Sequence, residues 1–320
     1  MHPRPPLPDG ASRRVVELAC GAPSVHNTQP WLWRVSGSRI DLYADRSRQL
    51  PFSDPTGRNL TISCGAALHY ARVAATALGM PAEVVRMPDP HDVDHLASLQ
   101  LRPGPRPPDA VERLSALGRR ATDRRRFTSW PVPEERLASL AACVKRSGVR
   151  VLPLVEPSLR FRVELLVNRA RDQQLDDPRL AAEQRAWVDR SPLEGMPSAA
   201  LPELAAQQPL SRGGAAPTAP DPVEGSDGLL ALCTDTDAPS DWLQAGEALS
   251  ELWLAATEEG LSVVPLSQVI EVASTRFSLE TEVFGGMTVP QIIVRIGWQE
   301  IGRSQLPRTA RRPVDEVLLT

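Results

Sequence analysis

The chain has 320 residues, is 42% hydrophobic and 23% charged, and carries a formal charge of −3, enough material for a core on the order of two domain-lengths long. That composition excludes a disordered or fibrous protein. Its cations are arginines plus a single lysine, Lys145, and with no Gly-Lys pair a Walker-type phosphate loop is excluded; Gly-x-Gly-x-x-Gly is also absent.

The opening segment, Met1 to Gly10, lacks an apolar run of signal-peptide length, and no stretch of roughly 18 apolar residues occurs anywhere, so a cytoplasmic protein without a membrane span is expected. The four cysteines (Cys20, Cys64, Cys143, Cys233) and the scattered histidines fall at no zinc or disulfide-framework spacing. The net charge and the lack of a continuous basic stripe speak against nucleic acid.

In chain order, Arg13 to Cys20 reads as a short amphipathic helix stopped by Gly21-Ala-Pro23. Alternation over Trp31–Val35 and Ile40–Ala44, around Ser36-Gly-Ser38, predicts a hairpin of half-buried strands. Residues Gly65 to Gly79 are almost all apolar or small and predict a helix enclosed on most sides. Strand candidates at Glu83–Met87 and Leu99–Leu101 precede a proline-rich linker, Arg102 to Pro108. Helices follow near 111–118, 134–146 and 160–172, with a strand at Val149–Leu154. The Pro, Ala, Gly and Ser-rich stretch 191–227 exceeds an ordinary loop and reads as a lid or a disordered spacer. Strands at Leu229–Cys233, Ser262–Leu266 and Gln291–Ile296 and a long helix over Asp241–Glu259 complete an α+β chain.

Four segments carry candidate chemistry. Ala22-Pro-Ser-Val-His-Asn-Thr-Gln-Pro-Trp31 concentrates hydrogen-bonding side chains between two backbone-stiffening prolines; a ligand-presenting loop and a plain capping loop are both open. Arg119-Arg-Ala-Thr-Asp-Arg-Arg-Arg-Phe127 offers planar guanidinium forks suited to phosphate, or a solvated basic face. Leu306 to Pro313 is a second basic segment, or an exposed tail. The fourth is Val264-Pro-Leu-Ser-Gln268. Three isolated side chains also need a reading. Cys64 is a nucleophile candidate but more simply a packed small residue. His26 is either an acid or a loop histidine satisfying backbone groups, and His69 is structural.

The decapeptide resembles the Pro-Ser-x-x-Asn-x-Gln-Pro-Trp signature of the nitroreductase superfamily, in which a dimer builds two flavin mononucleotide (FMN) sites across its interface. The arginine run is similar to that family's Arg-x-Ser/Thr-x-Arg start, and the basic C-terminal segment to the one that returns to the flavin phosphate. The first segment lies in one half of the chain and the other two in the second half. That distribution resembles the Acg family, tandem nitroreductase-like proteins of actinobacteria.

The resemblance implies a nitroreductase-like α+β fold of two degenerate halves forming a pseudo-dimer: 1–102, a linker at 103–110, and 111–320 with a lid insertion at about 191–227. It implies one non-covalent FMN held by Pro23, Ser24, Asn27, Arg120, Thr122, Arg124, Pro265, Ser267, Gln268, Arg308 and Arg311, with Pro30 and Trp31 packing the following strand. Arg124 or Arg125 is the candidate cation for the reduced flavin. The expected activity is NAD(P)H-dependent reduction of a small nitroaromatic, quinone or enone acceptor. A catalytically silent FMN store closed by the lid is the alternative, and a dehydrogenase using oxygen a third reading. No metal is implied, and the chain is expected to act as a monomeric pseudo-dimer, with further oligomerisation open.

Overall fold

The computed structural model describes residues 8–144, 148–198, 227–299 and 309–320. The first half comprises α1 (Ala11–Ala19), β1 (Trp31–Ser36), β2 (Arg39–Ala44), α2 (Arg58–Ala77), β3 (Ala82–Arg86) and β4 (His95–Leu101), and past the linker comes α3 (Ala110–Arg119). The second comprises α4 (Glu134–Cys143), β5 (Val149–Pro153), α5 (Pro157–Asp176), α6 (Pro178–Ala186), β6 (Gly228–Thr234), α7 (Pro239–Glu258), β7 (Leu261–Leu266), α8 (Gln268–Glu271), α9 (Ala273–Ser278), β8 (Val289–Trp298) and α10 (Val314–Val317).

Each half contains an antiparallel sheet of the same topology, ordered β1-β2-β4-β3 and β5-β6-β8-β7. The register slips at the matching place in both, between Leu42 and Tyr43 in β2 and between Leu232 and Cys233 in β6. The first sheet follows its alternating pattern: Trp31, Trp33, Ile40 and Leu42 are buried against α1 and α2, while Arg34 and Arg39 face out. The second is covered on both faces, Leu230 and Leu232 by α4 and α7, Leu229 and Ala231 by α5 and α8. Cover on both sides is why β6 reads as an unbroken apolar run.

The central helices α2 and α7 cross where each has its glycine, Gly65 and Gly246, at the same position along two 20-residue helices. A Cβ on Gly65 would fall inside the Leu243 carbonyl, and one on Gly246 inside that of Ile62, so only glycine permits this approach. One turn further on, His69 Nδ1 and Ser250 Oγ pair at 2.8 Å across the same interface, which makes His69 structural as expected. The fully buried Glu247 is clamped by Arg72 at 3.0 Å and Arg86 at 2.6 Å.

Several boundaries differ from the sequence expectation. Helix α2 begins at Arg58, not near Gly65, because the Asp54 carboxylate accepts from the Asn59 and Leu60 amides at 3.1 and 2.8 Å and caps it there. Strand β4 starts at His95 rather than Leu99, and α5 spans Pro157–Asp176, wider than 160–172. Helix α4 ends at Cys143, short of 146, and 145–147 lie outside the described residues. Helix α6 occupies a stretch for which no helix was expected. Of the 191–227 stretch, 199–226 lie outside the described residues. After the linker the chain returns to the first half: Ala116 and Leu117 of α3, and Val317 near the C-terminus, join the core around Trp31 and Trp33. The Leu319 amide donates to Trp33 O at 2.7 Å.

Candidate functional site

The loop between α1 and β1 is tightly wound. His26, Asn27 and Gln29 have φ of 46°, 56° and 50°, three non-glycine residues in the left-handed region, a form of strain that concentrates at functional sites. Internal bonds hold it: Gln29 N donates to Ser24 Oγ at 2.9 Å, and Val25 N to Ser63 Oγ of α2 at 3.2 Å. Trp31 drops into the core as expected. Cys64 donates to Pro30 O at 3.1 Å and burial pushes its thiol up, so it is the packed small residue rather than a nucleophile.

His26 departs from both of its sequence readings. Its Nδ1 is buried without a hydrogen-bond partner, so it does not serve the loop backbone. Burial first, then the charge of Arg124, push its pKa down to about 4, so it is neutral at physiological pH and is not poised as an acid.

The arginine run leaves α3 and passes along the second sheet. Arg120 donates through Nε to the Tyr70 hydroxyl at 2.8 Å and lies 4.7 Å over the Trp253 ring, while its Nη1 is buried without a partner. The Arg124 guanidinium has no hydrogen-bond or ion-pair partner among the described residues, and burial alone lowers its pKa. Arg125 differs: Asp123 holds it in a two-pronged pair at 2.8 and 2.7 Å, so its charge is compensated. Arg295 of β8 stands opposite Val264 and donates to the Arg124 and Arg125 carbonyls at 3.5 and 3.1 Å, which sets the run beside the β7 end where Pro265, Ser267 and Gln268 lie. Thr122 is half-buried within the run, and Ser267 hydrogen-bonds Glu271.

The C-terminal segment closes the third side. Among the described residues Arg311 donates only to carbonyls, Thr309 and Ala310 at 3.0 Å and Gly21 at 3.3 Å, and its Nε is buried without a partner. Burial and then the charge of Arg120 push its pKa down to about 10. Arg312 N donates to Gln29 Oε1 at 2.8 Å. Arg308 lies outside the described residues.

A hairpin over 187–198, absent from the sequence reading except as the start of the proposed lid, lies against the same loop. Asn27 Nδ2 donates to Gly195 O at 3.0 Å and to Ala310 O at 3.1 Å, so both of its amide hydrogens are engaged; Gln29 Nε2 donates to Leu193 O at 3.0 Å. Arg48 pairs with Glu194, and the Trp187 ring lies 5.7 Å from Arg48 and 4.1 Å from Arg190. Glu183 of α6 accepts from the Phe52 and Ser53 amides, each at 2.9 Å, and ties this insertion to the first half. Asp177-Pro178, a side-chain cap followed by proline at the first helical turn, was the local signal for α6.

The structure thus brings together Ser24, Asn27, Arg120, Arg124 and Arg311, with Pro265, Ser267 and Gln268 alongside. Arg120 and Arg311 each keep a buried guanidinium nitrogen without a partner, Arg311 feels the charge of Arg120, and Arg124 has no acidic partner among the described residues, a donor set that fits a phosphate ester. Two other features fit less. On the outer face of the first sheet His95 Nε2 meets both Asp41 Oδ1 at 3.0 Å and Ser98 Oγ at 3.2 Å; one ring nitrogen serving both cannot relay a proton between them. A cavity of about 380 Å³ near Arg58, Glu271 and Arg276 has walls whose charges are already paired, Arg276 with Asp237 and Glu271 with Asn59 and Gln174. Among the described residues no group of three metal-ligating side chains occurs, and no helix is long and apolar enough to cross a membrane.

No family model matches the chain. It is 37% identical to the Mycobacterium tuberculosis H37Rv protein named "Putative NAD(P)H nitroreductase Rv3131", over 98% of this chain and 92% of that one. It is 32% identical to "Putative NAD(P)H nitroreductase acg" of the same strain, over 95% of this chain and 94% of that one. Among solved structures, an FMN-bound nitroreductase from Desulfitobacterium hafniense is similar with a TM-score of 0.41 and 15% identity, over 65% of this chain and 97% of that one. One from Bacteroides fragilis, also with bound FMN, has a TM-score of 0.39 and 14% identity, over 62% of this chain and 94% of that one.

Proposed function

Since this chain belongs to the family of NAD(P)H nitroreductase-named proteins that includes Acg, we propose that it is an FMN-dependent oxidoreductase with one flavin site built from both halves of a fused pseudo-dimer. The observation that carries the reading is the pair of buried, unpartnered guanidinium nitrogens on Arg120 and Arg311, which come from two distant stretches of sequence, with Arg124 acting on His26 of the Ser24–Asn27 loop and having no acidic partner among the described residues. Matching sheet topologies and the shared glycine crossing support the pseudo-dimer.

In this reading Arg120 and Arg311 neutralise the phosphate, with Arg308 and Thr122 as further contributors. Ser24 and Asn27, with Pro23, line the ring and ribityl side from the first half, and Pro265, Ser267 and Gln268 line the ring edge. FMN would supply the hydride chemistry, accepting from NAD(P)H and delivering to a small nitroaromatic, quinone or enone acceptor. Arg124, unlike Arg125, carries an uncompensated charge and is the cation that would favour an anionic reduced ring.

A second reading, a closed FMN store, is favoured by one observation: the 187–198 hairpin already takes the Asn27 and Gln29 amides. The visible spectrum of the purified protein, followed under anaerobic addition of NADPH and then NADH, separates the two. A bound yellow chromophore that bleaches supports the reductase, and one that stays yellow with both nucleotides supports the store. A colourless protein that cannot be reconstituted with FMN overturns both.

A further inference from the structure

His26 is used by neither the fold nor the proposed flavin contacts, yet it is placed with care. It sits between Ser24 and Asn27 in a left-handed conformation, φ 46°, in a loop where Asn27 and Gln29 share that conformation. Its Nδ1 is buried and meets no hydrogen-bond partner, although a buried ring nitrogen normally finds one. Arg124 is the charged group that acts on it, and Arg124 itself has no acidic partner among the described residues.

Among the described residues, the other elements packed around the loop bring no acid without a partner. Helix α2 contributes Ser63, and the C-terminal segment contributes Arg311, engaged with carbonyls, and Arg312, which donates to Gln29 and is ion-paired with Asp45 and Glu316, each at 3.7 Å. The hairpin's Glu194 is paired with Arg48 and Arg190. Among the described residues, therefore, Glu194, Asp45 and Glu316 already have arginine partners, and none answers the charge of Arg124.

We infer that His26 is the redox-linked proton acceptor of this site, taking a proton from water at Nδ1 when reduction of a bound flavin places a negative charge beside Arg124. The inference rests on the FMN reading given above. The step balances: the C4–H bond of the dihydronicotinamide breaks and an N–H bond forms at flavin N5. The nicotinamide is oxidised, the isoalloxazine gains two electrons and one proton, and the ring's remaining negative charge is met by the proton that binds His26. In the oxidised state burial and Arg124 keep the imidazole neutral. A new anion opposes both effects, which is the usual way a neighbouring charge moves a histidine across neutrality.

The test is a redox titration of the FMN-loaded protein over about pH 5 to 7, wild type against His26→Asn, since asparagine tolerates the left-handed backbone and does not titrate. One proton per two electrons changes the equilibrium constant tenfold per pH unit, about 30 mV, and two protons change it a hundredfold, about 59 mV. Wild type should take up one more proton than His26→Asn within that window. Equal slopes overturn the inference. Should His26→Asn fail to retain FMN, the imidazole nitrogen shifts of wild type, oxidised and dithionite-reduced, decide instead: a ring that stays neutral in both states overturns it. Failure of wild type to quench FMN fluorescence sinks the flavin reading and this inference together, whereas FMN binding with equal slopes sinks only this one.

Discussion

Gly246→Ala tests the crossing that brings the two halves together. The added Cβ would stand 2.9 Å from Gly65 Cα and 2.8 Å from the Ile62 carbonyl carbon, with the carbonyl oxygen nearer still. These are backbone atoms of a buried helix, so no side chain can swing aside and α2 and α7 must separate. Overpacking of a tight core costs about 1–3 kcal/mol, and a backbone-on-backbone clash belongs at the upper end, about 3 kcal/mol. At about 2.1 cal/mol/K of unfolding entropy per residue, that lowers the melting temperature of a chain this size by about 4–5 °C. Gly118→Ala is the control, since it too is helical but a Cβ there meets nothing within 4 Å. Replacing that glycine should be neutral or add up to about 1 kcal/mol. Calorimetry on both variants, with FMN quenching on Gly246→Ala, reads the outcome. A melting temperature for Gly246→Ala within a degree of wild type would refute the close-crossing argument.

Other expectations follow from single residues. Arg124→Gln should weaken FMN retention and make the flavin harder to reduce, whereas the double variant Arg125→Gln/Asp123→Asn, which removes a mutually neutralised pair, should change the potential little; potentiometry on both checks this. Glu194→Gln removes the partner of Arg48 and Arg190 and should speed limited proteolysis between residues 187 and 198 with little change in global melting. In the apoprotein the depressed His26 pKa means the unfolded chain binds more protons between about 4 and the ordinary 6.5. Stability should therefore fall as pH drops through that range, and His26→Asn should flatten the slope in urea melts. On the first sheet, burial alone would raise the Asp41 carboxyl, but hydrogen bonds from Arg39, Ser98 and His95 outweigh it and hold the pKa below 3.8. That stability is present above the unfolded value and is lost as pH falls through the folded one, so Asp41→Asn should blunt the acid limb of the melting profile.

Much of this protein was legible before any coordinates. Alternation over Trp31–Val35 and Ile40–Ala44 marks a half-covered hairpin because side chains on a strand point to opposite faces in turn, and the unbroken run at 229–233 marks a strand covered twice. The three site segments were visible because each concentrates residue types whose chemistry is local: a proline-bracketed polar loop, an arginine run, a basic tail. Short helices such as α8 and α9 and the early start of α2 were not, since their ends depend on caps and packing rather than on periodicity.

The partnership among those segments was decided in three dimensions. Nothing in the order of residues tells that Arg125 is neutralised two positions away while the neighbouring Arg124 guanidinium has no partner among the described residues, that the charge of Arg120 acts on buried Arg311, or that Asn27 gives its amide to Gly195. Local patterns follow from the geometry of one helix or strand, within reach of a few neighbouring residues. Desolvation and the presence or absence of a counter-charge depend on atoms brought together from the whole chain, and it is these that set Arg120, Arg124 and Arg311 apart from an ordinary solvated basic face.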